Sequence, residues 1–357
     1  MRNLRPAAFL LPVFLLVSAV PVHAAAYRIK WLLGHPNLDY FEEAARAFKD
    51  TVEKESGGEI AVEIVPAEQE ALGDVAQAKD PEAIAAKVAK GEAEMGHSFA
   101  NVLSAVEPRM QVFESPYLFR GYRHLEGVFE GPAGGRLLDT LKSHGIIGLS
   151  FTYSGGANGV ATQDRELRSP ADLKGLRVGV YGDDVDTAWL KQAGAVPITL
   201  RHDRRRIVPL AQEGKLDAVL ITWRNFERAS LARTFGRFNL AGASYLVSVT
   251  YVNQKFYESL PEKYRELLAR AARESGRIER AQTIELNEMS KREMLARGVL
   301  PVYLGGKDLA RFTAALAPAY DGPIARAVGK DLLEDLRKVP DAPVAPVLPR
   351  SLELVRR

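Results

Sequence analysis

Between residues 27 and 65 the hydrophobic period changes from two to about 3.6 and back again, which restricts the chain to folds built on a parallel sheet. Ile29, Trp31 and Leu33 alternate with Arg28 and Lys30 as one face of a strand requires, and Gly34-His35-Pro36 closes the run. Phe41, Ala44, Ala45, Phe48 and Val52 then recur at helical spacing as far as Gly57-Gly58, and Ile60, Val62 and Ile64 alternate once more over 59–65. Parallel strands need a long crossover, usually a helix, so this β-α-β opening predicts an α/β sheet rather than a sandwich or a helical bundle.

The alternation continues. Asp80-Pro81 caps a helix that runs to Lys90, and 93–96 reads as a short buried strand with 97–101 as the loop beyond it. Strands follow at 145–153, 176–181, 196–200 and 217–221, with helices at 183–193 and before Glu213-Gly214, so the middle third predicts a second α/β lobe. Residues 245–252 read as a long strand returning to the first lobe, a connection suited to hinge closure. From Pro261 to Arg297 there is no further proline, and Tyr264, Leu267, Leu268, Ala271, Ile278, Leu286 and Met289 keep roughly helical intervals. One helix of about 55 Å is expected there, long enough to brace both lobes. The expected division is 27–148 with about 246–260 as lobe I, 149–245 with about 299–330 as lobe II, and 261–297 as the bracing helix. A tail over 340–357, punctuated by Pro340, Pro343, Pro346 and Pro349, is expected to lie along the surface.

Residues 1–24 read as a secretory signal peptide: Arg2 and Arg5, an apolar run over 7–20, and Val22-His23-Ala24 before the cleavage point. That run is shorter than the roughly 20 residues of a membrane span, so the mature chain is expected free in the periplasm, not embedded in a membrane, and as a monomer. The absence of cysteine excludes a lipid anchor, disulfides and thiol chemistry. Processing leaves 46 basic against 45 acidic residues, which gives no long-range attraction to nucleic acid. The basic run Arg204-Arg205-Arg206 reads as a solvated helix start. About 333 residues exceed what one core usually serves, and two lobes imply a cleft.

Ligands of open α/β sheets sit at the carboxyl ends of strands, which nominates His35, Tyr40, His97, Phe99 and Asn101 as cleft residues. Tyr153, Tyr181, Trp223 and Tyr245 stand near other expected strand ends, with Asn225 beside Trp223. For each aromatic the competing reading is core packing, and for each histidine a ring satisfied by backbone. No enzyme signature accompanies them. Tyr153-Ser154-Gly155-Gly156 lacks the first glycine of a nucleophile elbow and reads as a loop at the lobe crossover. His35, His97, His124, His144 and His202 have no metal-ligand spacing, and 175–182 lacks the Gly-x-Gly-x-x-Gly order, so no catalysis, metal or cofactor is expected.

Several segments, in order, resemble the substrate-binding subunit of tripartite ATP-independent periplasmic (TRAP) transporters, the DctP-type family, over nearly the whole mature chain. They are Phe113-Glu114-Ser115-Pro116-Tyr117-Leu118-Phe119, Gly131-Pro132-Ala133-Gly134, and Ser169-Pro170-Ala171-Asp172-Leu173-Lys174-Gly175-Leu176-Arg177. Gln192-Ala193-Gly194-Ala195-Val196-Pro197, Gly214-Lys215-Leu216-Asp217 and Asn253-Gln254-Lys255-Phe256-Tyr257-Glu258-Ser259-Leu260-Pro261 complete the set. The resemblance implies a periplasmic-binding-protein fold of the second topological class, a small organic solute without cofactor, and permease subunits as partners. It also implies an arginine fork for a carboxylate. The matching position is Asn158, a second arginine position is Gly179, and a polar run is replaced by Ala218-Val219-Leu220-Ile221. These departures shift the expected ligand from a simple carboxylate to a neutral, aromatic or more apolar solute. The alternatives are an acid held by a relocated arginine, for which Arg224 is a candidate, and a partner of a membrane sensor.

Overall fold

The computed structural model describes residues 25–34, 39–66, 83–181, 184–200, 203–344 and 346. The expected signal peptide, His35, the Asp80-Pro81 cap and the side chain of Tyr40 lie outside them. Strand β1 (Tyr27–Leu33), helix α1 (Asp39–Glu55) and strand β2 (Ile60–Pro66) form the opening unit, with β1 and β2 parallel from Tyr27↔Ile60 to Leu33↔Pro66. Helix α2 (Ala83–Lys90), β3 (Met95–Phe99), α3 (Ala100–Leu103), α4 (Tyr122–Glu130), α5 (Pro132–Asp139) and the 17-residue β4 (Ile146–Thr162) follow. The second lobe adds β5 (Arg177–Val180), α6 (Asp184–Gln192), β6 (Val196–Thr199), α7 (Ile207–Gln212), β7 (Ala218–Thr222), α8 (Trp223–Arg228) and β8 (Arg237–Asn239). The chain ends through β9 (Tyr245–Asn253), α9 (Gln254–Ser259), α10 (Glu262–Ala296), β10 (Leu300–Val302), α11 (Gly306–Asp321), α12 (Pro323–Val328) and α13 (Lys330–Arg337).

The strands run in the order β2-β1-β3-β9-β4-β7-β5-β6, with β8 against β4 and β10 beyond it. Two lobes result, each with its own sheet, because β4 belongs to both: it pairs with β9 as far as Ala157, and from Asn158 onward with β7 and β8. The strand therefore continues through the segment expected to be a loop. Its register with β9 jumps from Tyr153↔Val247 to Gly156↔Leu246, so Ser154 and Gly155 form a bulge. Gly155 (φ 126°) and Gly156 (φ 78°) make this cheap, since a side chain would resist both conformations.

Strand β3 also outruns its expected end. It pairs with β9 through Phe99↔Ser248, which places His97, Ser98 and Phe99 inside the sheet rather than in a loop. Helix α10 follows the sequence expectation closely and at 35 residues spans about 52 Å. Ser275 Oγ donates to Ala44 O on α1 at 2.7 Å, and Asn287 Oδ1 accepts from Arg224 N on α8 at 3.1 Å, so the helix grips both lobes. The start of the tail lies along α4, where Ala342 N donates to Arg123 O and Arg120 pairs with Asp341. Among the described residues no helix is long and apolar enough to cross a membrane.

Candidate solute-binding site

Strands β5, β6 and β7 are parallel, so their carboxyl ends open on one edge of the second sheet. Tyr181 leaves β5 there, Arg204 follows β6, and Trp223 to Asn225 follow β7. Thr222 caps α8: its hydroxyl accepts from Asn225 N at 3.2 Å. Arg204 Nη1 donates to Asn225 Oδ1 at 2.6 Å. Its neighbours point elsewhere, Arg205 to Asp203 at 2.8 Å and Arg206 to Thr199 O at 3.1 Å. Burial raises the Tyr181 phenol above its usual range, and the charge of nearby Arg204 offsets part of that rise. Among the described residues no carboxylate pairs with the half-buried Arg204.

Strand β4 brings Asn158 opposite Thr222, so both side chains share a face. Asn158 is 5% exposed; its Nδ2 donates to Ser244 Oγ at 3.1 Å and its backbone N to Ser244 O at 2.9 Å. One residue on, Tyr245 stands opposite Ala157. Its ring meets Tyr122 edge-on at 5.5 Å, and Tyr122 meets Tyr153 in the same way at 5.2 Å. Tyr122 Oη accepts from Ala157 N at 3.1 Å, and burial pushes that phenol up to about 12. The hinge thus carries an amide, two hydroxyls and three phenols packed edge-on beside the bulge.

The structure gathers Asn158, Tyr181, Asn225 and Tyr245 of the expected residues around the hinge and the strand ends. Others are used differently. His97 is fully buried, its Nε2 lies 2.8 Å from Thr152 Oγ1, and its ring stacks on Phe41 at 3.9 Å. Phe99 is part of the main apolar cluster, and Asn101 sits on α3 with its carbonyl holding the Ser104 hydroxyl. Tyr153 is wholly buried. Trp223 is 4% exposed and stacks on Phe238 at 3.7 Å with an interplanar angle of 15°, so its ring belongs to the second lobe's core. Arg224 is not a spare cation, because its Nη1 pairs with Glu227 at 2.9 Å. Arg204, Tyr122, Thr222 and Ser244 were not anticipated. The signal for Arg204 was its place just after a strand of the parallel set.

At Gly179 an added Cβ would meet Leu200 Cδ1 at 3.0 Å and Leu216 Cδ1 at 3.2 Å, so packing, not ligand, occupies the face where the resemblance puts a second arginine. No group of three or more His, Asp or Glu among the described residues is placed to hold a metal.

A 26% identical relative is a solute-binding protein of Verminephrobacter eiseniae, aligned over 82% of this chain and 84% of its own. The C4-dicarboxylate-binding periplasmic protein DctP of Rhodobacter capsulatus is also 26% identical, over 78% of this chain and 81% of its own. Among solved structures, a TRAP periplasmic solute-binding protein of Ochrobactrum anthropi superposes with a TM-score of 0.78 at 20% identity, covering 88% of this chain and 94% of that one. Another from Ralstonia eutropha, with bound (S)-2-acetolactate, gives 0.73 at 22% identity over 87% and 98%. The family model for bacterial extracellular solute-binding protein, family 7, matches residues 34–326. The chain therefore belongs to that family, the DctP-type solute-binding proteins of TRAP transporters.

Proposed function

We propose that this protein captures a small organic solute bearing one anionic group on an otherwise uncharged body and passes it to the membrane subunits of a TRAP permease. The observation that carries the reading is Arg204: a half-buried guanidinium held by Asn225 at the carboxyl ends of the parallel strands, with no acid partner among the described residues. A guanidinium there offers donors to a carboxylate and lowers the desolvation cost of a single charge. It also supplies the cation whose absence at Asn158 pointed to a neutral ligand. Compact dicarboxylates fit less well, because neither Asn158 nor Gly179 supplies a second cation. Similar proteins have been solved with organic acids, among them β-D-glucuronate and D-erythronate.

The second reading is an uncharged or aromatic solute, favoured by the Asn158–Ser244 pair and the phenols of Tyr122 and Tyr245. One experiment separates the two. The mature protein is unfolded and refolded to strip carried-over solute, then melted with dicarboxylates, with sugar acids, and with the uncharged alditols of the same skeletons. A solute at 100 times its dissociation constant adds about 2.7 kcal/mol. The sugar acids should raise the melting temperature, and Arg204→Met should abolish that rise while leaving the solute-free melting point in place. Equal shifts from the alditols, or an Arg204→Met variant that still responds to acids, would move the assignment to the uncharged reading.

A further inference from the structure

In the first lobe β4 is the edge of the sheet, so the outward backbone groups of Phe151 and Tyr153 have no neighbouring strand. Two consecutive side chains of α10 take that place. Arg280 Nη1 donates to Phe151 O at 2.8 Å, and Glu279 Oε2 accepts from Tyr153 N at 2.7 Å. Tyr153 is the last paired position before the bulge at Ser154-Gly155, where the hinge strand departs from regular pairing, and Phe151 lies two residues earlier.

The charges around this anchor balance without Glu279. Arg280, 2% exposed, donates from Nε and Nη2 to the two oxygens of Glu126 at 2.8 and 2.9 Å and reaches Glu130 at 2.5 Å. Arg277 also pairs with Glu130. Two guanidiniums face two carboxylates, and a third carboxylate, Glu279, is fully buried beside them. The groups that face it are Arg280 on its own helix, Glu126 on α4, and on β4 the backbone of Tyr153; Thr283 Oγ1 lies 2.6 Å from Oε1. Four of the five Arg280 N–H groups are taken by Phe151 O, Glu126 and Glu130, and none of these bonds reaches Glu279. Ionising Glu279 would leave a net negative charge out of contact with water, which proteins avoid by keeping such a group protonated.

We propose that Glu279 is a positioning residue of the hinge: as a neutral acid it holds the backbone of Tyr153 to α10, and because its ionised form is stable only in contact with water, loss of the proton favours opening of the strand at the bulge on which lobe closure turns. This goes beyond the solute reading and does not depend on Arg204. Consistently, burial pushes the Glu279 carboxyl up to about 8, with Thr283, Tyr153 N and Arg280 offsetting part of the rise.

The test needs no solute. Amide hydrogen exchange is followed over 150–157 from pH 6 to 9, corrected for intrinsic rate, with 27–33 of β1 as internal reference. In the wild type, protection over 150–157 should fall at least fivefold through the neutral-to-alkaline range while β1, which opens only with global unfolding, stays the better protected. Glu279→Gln, a neutral isostere, should keep the protection and lose the pH dependence. Thr283→Val, which removes a hydroxyl that favours the ionised form, should move the midpoint to higher pH. A purely structural carboxyl would change overall stability without this local pH profile. A flat wild-type profile, or the same slope in Glu279→Gln, would overturn the proposal; if Glu279→Gln does not fold, an unmoved Thr283→Val midpoint does so instead.

Discussion

A side chain at a strand end has its backbone placed by the sheet, but the direction of its ring is decided by partners far away in sequence. Trp223 follows β7 directly, where a ligand contact was expected, yet Phe226 and Phe238 hold its ring in the core. Trp223→Ala should therefore cost about 3–5 kcal/mol of stability, read from urea unfolding, and leave solute affinity of the folded fraction nearly unchanged. A large affinity loss at unchanged stability would return Trp223 to the cleft. The same limit hid Arg204. Three successive arginines read as one solvated run, and only the 3₁₀ turn over Arg204–Arg206, capped by Asp203, sends one inward and two out. Asn158 and Gly179 were legible as departures, but the leucines that fill the space over Gly179 come from separate segments. Arg280 makes the converse case. Its neighbours on α10 identify a buried helix face, whereas its partners Glu126 and Glu130 lie some 150 residues earlier. Arg280→Met should destabilise by about 3–5 kcal/mol because it leaves buried Glu126 uncompensated and Glu130 with Arg277 alone. Adding Glu126→Leu should recover part of that loss, and a double variant no better than the single one would show that the pair contributes nothing jointly.

At the scale of elements, hydrophobic period revealed which segments are strands and which helices, because it depends only on residues close in sequence. Ends were less legible where pairing partners are distant. Strand β3 runs on to Phe99 and β4 to Thr162 because β9, β7 and β8 offer edges there. The two glycines that read as a loop are what let β4 absorb its bulge. They also make the bulge testable. Gly156 has φ 78°, and an added Cβ would run into the Tyr122 hydroxyl, while Gly175 has a similar φ of 74° with open space around it. Gly175→Ala should cost about 1–2 kcal/mol from backbone conformation alone. Gly156→Ala should cost more, and Tyr122→Phe should relieve much of the excess. Equal costs for the two alanine variants in chemical denaturation would mean that Tyr122 does not press on the hinge.

For the whole molecule, protonation works in two directions. Glu107, Glu130 and Glu227 are pushed up by burial, but arginine and hydroxyl partners outweigh it and hold all three below the usual carboxylate value. The folded state thus binds fewer protons at these sites than the unfolded chain, so the stability they give is present above about pH 4.5 and lost as pH falls below it. His124 acts in the same sense from a higher pH. Burial, helped by Arg120, holds it below the usual histidine range, and both ring nitrogens are in use, Nδ1 accepting from Arg120 N and Nε2 donating to Leu336 O. Its contribution is intact above about pH 6.5 and lost on acidification. Glu279 has the opposite sign. Burial raises it to about 8, so the folded state holds a proton that the unfolded chain has released, and stability is lost as pH climbs from the ordinary carboxylate value toward 8. Below pH 6.5 the histidine and Glu279 slopes offset one another; above it Glu279 acts alone. Stability from denaturant titration should accordingly fall by on the order of 2 kcal/mol between pH 6.5 and 8.5. Glu279→Gln should flatten that decline, and His124→Gln should leave it while changing the acid limb. A wild-type curve level from pH 6.5 to 8.5 would mean that the third carboxylate of the α4–α10 cluster has a compensating partner after all.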